Sequence, residues 1–351
     1  MKINLGEYNV QIDVPTDNFF CTSFTAYDTQ YMWDFIPTVE SNIANPEQLI
    51  ILFGAFHNLH EYDYWITPIN ELKEKYKNPI AVVSGRLTSD HRLTVDPNFK
   101  YYKINLFDHV SNINCYEPVY SIDEIEQKNR NYKFYWASSK DLYPRRFLLA
   151  NLIENDLVKD GLVNYKCVIS HIPGDYLESR FDVGYTKLIA EKCKTIDDQV
   201  PLPKLDDTIE FNLTDKKFYN DSCLGIITDT FYADHGGVTG IFLSEKIYQA
   251  INHHQLFFYI GPPGSLKYLE DLGYHIFRDL FDLSYDKIKN HGERLVAATK
   301  SIIDFLKQPA DRIKQLYIKN SEHIRHNKTL LRSQRKDLLI YNLLQETLDE
   351  N

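Results

Sequence analysis

"GIFLSEKIYQAINHHQLFFYIGPPGSL", residues 240–266, packs a helix, a strand and a turn into one short stretch. Ser244 stands where a helix N-cap is expected, and Ile247, Ala250 and Ile251 follow at the spacing of one buried helical face. "LFFYIG" (256–261) is the unbroken apolar run of a strand covered on both sides. Gly-Pro-Pro-Gly then punctuates the chain before "SLKYLEDLG" (265–273), a second helix. Upstream, "CLGIITDTF" (223–231) supplies another strand. Strand, helix, strand and helix at these intervals predict an α/β unit with a parallel sheet.

The first third of the chain follows the same order. "QLIILFGAF" (48–56), "NPIAVVSGRL" (78–87) and "KYYKINLF" (100–107) read as strands. "WITPINELKEKYKN" lies between the first two, with Ile66, Ile69, Leu72 and Tyr76 at helical spacing. "YKFYWASS" (132–139) is a further strand and leads into "KDLYPRRFLLANLIENDLVKDG", where Pro144 suits a first helical position and Gly161 a stop. Residues 173–220 lack clear periodicity and read as loop-rich, whereas the tail from Ser284 reads as helices with Pro309 at one boundary. The expected architecture is therefore α/β, with two Rossmann-like domains and C-terminal helices. Their boundaries are placed at 1–140, 141–308 and 309–351.

Composition narrows the classes. The chain has 351 residues, 43% hydrophobic and 25% charged, enough for two cores. A formal net charge of −10 argues against a general phosphate-backbone binder, though it permits a local basic patch. The five cysteines form no CxxC pair, which supports neither a disulfide framework nor a zinc site. "MKINLGEYNVQIDVPTD" alternates like a strand, and no apolar run is long enough to span a membrane, so a cytoplasmic protein without a membrane span is expected.

The charges at two helix starts carry the chemistry. A carboxylate at Glu245 agrees with the helix macrodipole, but an ammonium at Lys246 is unfavourable there unless an anion is present. Arg145 and Arg146 repeat that conflict after Pro144. Lys246 with Arg145 and Arg146 thus suits a diphosphate, and Glu245 suits the paired hydroxyls of a ribose. The competing reading is that Ser244 only caps its helix and the charges face water. Gly261 and Gly264 bracket a turn whose following helix offers free N–H groups, but its prolines remove donors that a dinucleotide loop needs.

The stretch 242–286 resembles the donor-binding region of the alpha-1,3-fucosyltransferase-like glycosyltransferases, with their strand, Ser/Thr-Glu-Lys helix start, strand and small-residue turn. It is also similar to phage and bacterial relatives in which an Arg-rich segment like residues 139–165 precedes it. The resemblance implies a GT-B architecture, in which donor and acceptor domains face each other across a cleft and residues 1–140 are the acceptor side. It implies an inverting, metal-independent transfer of a sugar from a nucleoside-diphosphate-sugar to a hydroxyl acceptor, without a further cofactor. Ser244, Glu245, Lys246, Arg145, Arg146, Gly261 and Gly264 would then form the donor site. "NHHQ" (252–255) departs from the family's small residue, and the acidic residue after the strand is Asp229 or Asp234.

Such a transfer needs a base for the acceptor hydroxyl. Glu61, His57 and Asp90 are the candidates, with His60 and His91 beside them, all in loops after N-terminal strands. His253 and His254 are expected in an exposed turn. "SEHIRHNKTLLRSQRKD" (321–337) concentrates Arg325, Lys328, Arg332, Arg335 and Lys336. It is either a solvated helix face or a contact for hydroxymethylated DNA as acceptor, whose buried base would have to flip out. A non-catalytic nucleotide- or glycan-binding protein is the remaining alternative.

Overall fold

The structure is a computed structural model that describes residues 130–138, 142–165, 183–197, 216–229, 232, 240–241 and 243–333, together with the backbone of the strands within 2–103. The chain divides into two compact units, one of residues 1–114, 234–242 and 334–351 and the other of 115–233 and 243–333.

The first unit holds a parallel sheet. Its strands are β3 (Phe19–Phe24), β4 (Leu49–Gly54), β5 (Ile80–Ser84) and β7 (Lys100–Lys103), adjacent in that order, with Thr22, Leu52, Val82 and Tyr101 in register across it. The parallel pairing expected from "QLIILFGAF" and "NPIAVVSGRL" is present, while the helix expected between them lies outside the described residues. Two short antiparallel pairs accompany the sheet. β1 (Lys2–Asn4) pairs with β2 (Gln11–Asp13), and β6 (Leu87–Thr88) with β11 (Gly240–Ile241).

The second unit is built on β8 (Tyr132–Ser138), β9 (Gly161–Tyr165), β10 (Ser222–Thr228) and β12 (Leu256–Ile260), all parallel in the order β12-β10-β8-β9. β10 and β12 are buried along their whole length, which is why each reads as a continuous apolar run. Leu224 is in register with Phe134 on one side and Leu256 on the other. Because β8 hydrogen-bonds to β10, the strand 132–138 belongs to this sheet. Gly161 opens β9 and caps a short 3-10 helix (Val158–Asp160), and it is not the stop of the preceding α-helix. The ring of Phe134 fills the space its Cβ would take, and α1 (Tyr143–Glu154) has already stopped at Asn155.

Helices cover this sheet. α2 (Val183–Asp197) and α3 (Lys216–Asp221) lie in the region that reads as loop. α4 (Glu245–Asn252), α5 (Ser265–Asp271), α6 (His291–Leu306), α7 (Ala310–Lys319) and α8 (Ser321–Ser333) follow. Asn290 caps α6 by accepting from Glu293 N–H at 3.0 Å, and Pro309 occupies the N-cap of α7, the boundary its sequence marks. Trp136, Leu148, Ile247, Tyr248, Phe257, Leu295 and Ile302 form the core, each large side chain contributing about 1.5–3 kcal/mol by leaving water.

His253 and His254 are buried, contrary to the exposed turn expected of them. The His253 ring stacks on Tyr219 at 4.1 Å, and the His254 carbonyl accepts from the Tyr317 hydroxyl at 2.7 Å. Packing from distant parts of the chain covers a turn that is polar by local composition.

Candidate functional site

In the order β12-β10-β8-β9, β9 leaves β8 in one direction and β12 leaves β10 in the other. The direction of winding reverses between β8 and β10, and in open parallel sheets ligands bind outside the carboxyl ends of the strands at such a reversal. Ser138, Thr228 and Asp229 stand at these two strand ends.

Arg145, in the first turn of α1, reaches both. Its guanidinium donates to Ser138 Oγ at 3.2 Å and to the Thr228 carbonyl at 3.1 Å, and the residue is 2% exposed. Trp136 Nε1 donates to Thr228 Oγ1 at 3.1 Å and fixes the same corner. Arg146 is equally buried. At Arg145 the protein's own oxygens meet the cation that the helix dipole disfavours. The charge that suggests an anionic ligand also closes the sheet.

At α4 the backbone of Ser244 takes the N-cap conformation, with φ −79° and ψ 170°, but its hydroxyl makes no capping bond. That hydroxyl is buried and has no hydrogen-bond partner. The Ser244 N–H donates to Asp229 Oδ2 at 3.2 Å, and the same oxygen accepts the Tyr259 hydroxyl at 2.8 Å. Asp229 N–H in turn donates to the Ile260 carbonyl at 2.9 Å, so this buried carboxylate joins β10, β12 and the head of α4. Burial, and then the negative charge of Asp229, holds the Tyr259 hydroxyl far above its ordinary titration range, which keeps it a donor. Glu245 opens the helix and Lys246 follows, half-buried.

The turn after β12 is built differently from its sequence expectation. Gly261 is required by space, because a Cβ there would lie 2.3 Å from the Tyr259 ring. Gly264 has φ +80°, the left-handed region that glycine tolerates, and its N–H donates to the Asp286 carbonyl at 2.8 Å. The carboxylate of Asp286 accepts from Leu266 N–H at 3.1 Å and Lys267 N–H at 3.0 Å. The start of α5, expected to offer free donors to a ligand, is therefore capped from within the fold. Burial raises the Asp286 carboxyl above its usual range, and these two N–H bonds oppose that shift.

Tyr259 and Asp286 are not legible in the sequence as site residues. Tyr259 sits in an apolar strand, and nothing local marks Asp286 as the cap of a helix that starts twenty-one residues earlier, at Ser265. Glu61, His57, Asp90, His60, His91 and Asp234 lie outside the described residues, as do Arg335 and Lys336. Lys328 is buried and donates to the Asn252 carbonyl at 2.6 Å and to the Asn252 side-chain oxygen, so it is part of the fold and not of a solvated basic face. Arg325 is exposed.

Among the described residues, no group of three or more His, Cys, Asp or Glu is arranged to hold a metal ion, and no helix is long and apolar enough to cross a membrane. Comparison with protein families, with curated proteins and with solved structures finds no match to this chain.

Proposed function

We propose that this chain is a glycosyltransferase that moves a sugar from a nucleoside-diphosphate-sugar to a hydroxyl acceptor. The observation that carries this reading is the order β12-β10-β8-β9, whose reversal point is the place where α/β sheets take up nucleotides, with α4 tied to it through Asp229. The Ser-Glu-Lys start of that helix supplies an anion-suited terminus, and the resemblance over residues 242–286 supplies the sugar transfer.

The burial of Arg145 changes how the work is divided. Its bonds to Ser138 and Thr228 make it the residue that holds the strand ends together, and the departing diphosphate is assigned to Lys246 together with Arg146. Stabilising the charge that develops on that leaving group is expected to lower the barrier more than any other single effect in such a transfer.

A thermal-shift screen across nucleoside diphosphates and their sugars tests the reading, since a ligand bound only by the folded state raises the melting temperature. The expected result is a concentration-dependent rise with one class of nucleotide, lost in Lys246→Ala and in Glu245→Ala. Full donor hydrolysis or transfer by both variants would overturn it.

A further inference from the structure

Ser244 is 2% exposed, and its buried hydroxyl has no hydrogen-bond partner, although it stands at the N-cap, where a serine side chain ordinarily bonds to the N–H groups of the first turn. A buried hydroxyl left without a partner is costly, and at a helix N-cap it lies beside the unpaired N–H groups of the first turn. Its backbone, by contrast, is held firmly. Asp229 Oδ2 takes the Ser244 N–H, and Tyr259 donates to the same oxygen. The Tyr259 ring can lie in that position because residue 261 has no Cβ.

We propose that the Ser244 hydroxyl and the first-turn amides of α4 form a phosphate-oxygen subsite, and that Asp229 and Tyr259 are its positioning residues. An N-cap hydroxyl that donates to an anion leaves the first-turn N–H groups turned toward the same anion, so both sets of donors converge on one oxyanion. Asp229 accepts from the Ser244 backbone and leaves its side chain to the ligand. Tyr259 donates to Asp229 and keeps that carboxylate on the helix. This inference rests on the nucleotide reading of the same site but differs from it in substance: it places the grip on phosphate in a neutral hydroxyl and backbone amides, alongside Lys246.

Calorimetric titration of the full chain with inorganic pyrophosphate, UDP and GDP tests the proposal, with unfolding followed in parallel for every variant. Ser244→Ala is expected to weaken pyrophosphate binding roughly tenfold to a hundredfold, the range for losing a hydrogen bond to a charged group. Ser244→Thr, which keeps the donor, restores it. Tyr259→Phe weakens binding with Lys246 intact, whereas Tyr274→Phe does not. The Tyr274 ring packs against Tyr248 of α4 from outside that helix and its hydroxyl has no partner, so that variant controls for general loosening.

If Ser244→Ala folds and binds UDP or GDP as the wild type does, the subsite is wrong and the nucleotide reading stands. If pyrophosphate binds through Ser244 but no sugar nucleotide binds or turns over, the subsite stands and the glycosyltransferase reading falls. Absence of binding by all three probes overturns both.

Discussion

Arg145 donates to the carbonyl of Thr228 at 3.1 Å, so a charge from the first turn of α1 closes the end of the neighbouring strand β10. The same guanidinium bonds to Ser138 at the end of β8, which makes one side chain the bridge across the point where the sheet reverses. Removing it takes a charged donor away from a buried carbonyl and a buried hydroxyl. Arg145→Ala is expected to lower stability by about 2–4 kcal/mol. Urea unfolding in the absence of any ligand checks this, and an unchanged midpoint would show that the arginine is not structural.

The pH dependence of stability should depend on His275. Its Nδ1 accepts from the Phe277 N–H at 3.2 Å, and its ring stacks on His323 at 3.7 Å with planes 8° apart. Burial and then His323 lower its titration point below the ordinary 6.5. His326 adds to that lowering, while Asp279 and Glu270 oppose it. The folded state therefore binds this proton less readily than the unfolded state. The stability it contributes is complete above about pH 6.5 and is lost as pH falls from there through the folded-state value. Urea midpoints measured between pH 7.5 and pH 5 should fall less in His275→Gln than in the wild type. Equal slopes in the two proteins would assign the effect elsewhere.

Some of the fold is written locally and some is not. β10 and β12 are legible because a strand buried on both faces must be apolar throughout, and α4 because Ile247, Ala250 and Ile251 keep one face. The strand β9 is not, since "GLVNY" follows a helix and a short 3-10 turn without a distinct apolar run of its own. The meaning of the basic helix starts is legible only in part. An unfavourable cation at a helix N-terminus shows that negative charge or oxygen atoms are near, but not whether a ligand or the end of a distant strand supplies them. For Arg145 the answer is Thr228, eighty-three residues away in sequence.

The two glycines of the turn after β12 should fail in different ways. Gly264→Ala puts a Cβ at φ +80°, where no atom lies within 4 Å, so it costs only backbone strain of about 1–2 kcal/mol. Gly261→Ala drives a methyl into the Tyr259 ring and costs about 1–3 kcal/mol by overpacking. It also moves that ring off Asp229. Pyrophosphate affinity is therefore expected to fall in Gly261→Ala and to survive in Gly264→Ala, as read by calorimetry. The reverse order would remove Tyr259 from the site.

Lys328 separates a folded role from a polyanion role for α8. Its ammonium sits on the carbonyl and side-chain oxygen of Asn252, at the C-terminal end of α4, where a cation complements the helix dipole. Replacing it removes a charge-assisted bond and leaves those oxygens buried, so Lys328→Met is expected to cost about 1.5–3 kcal/mol. Arg325 lies exposed on the same helix, and Arg325→Met should change stability by less than about 0.5 kcal/mol. Chemical denaturation of the two variants decides the matter. A stable Lys328→Met protein would return that lysine to the surface and reopen a basic face along α8 as a contact for nucleic acid.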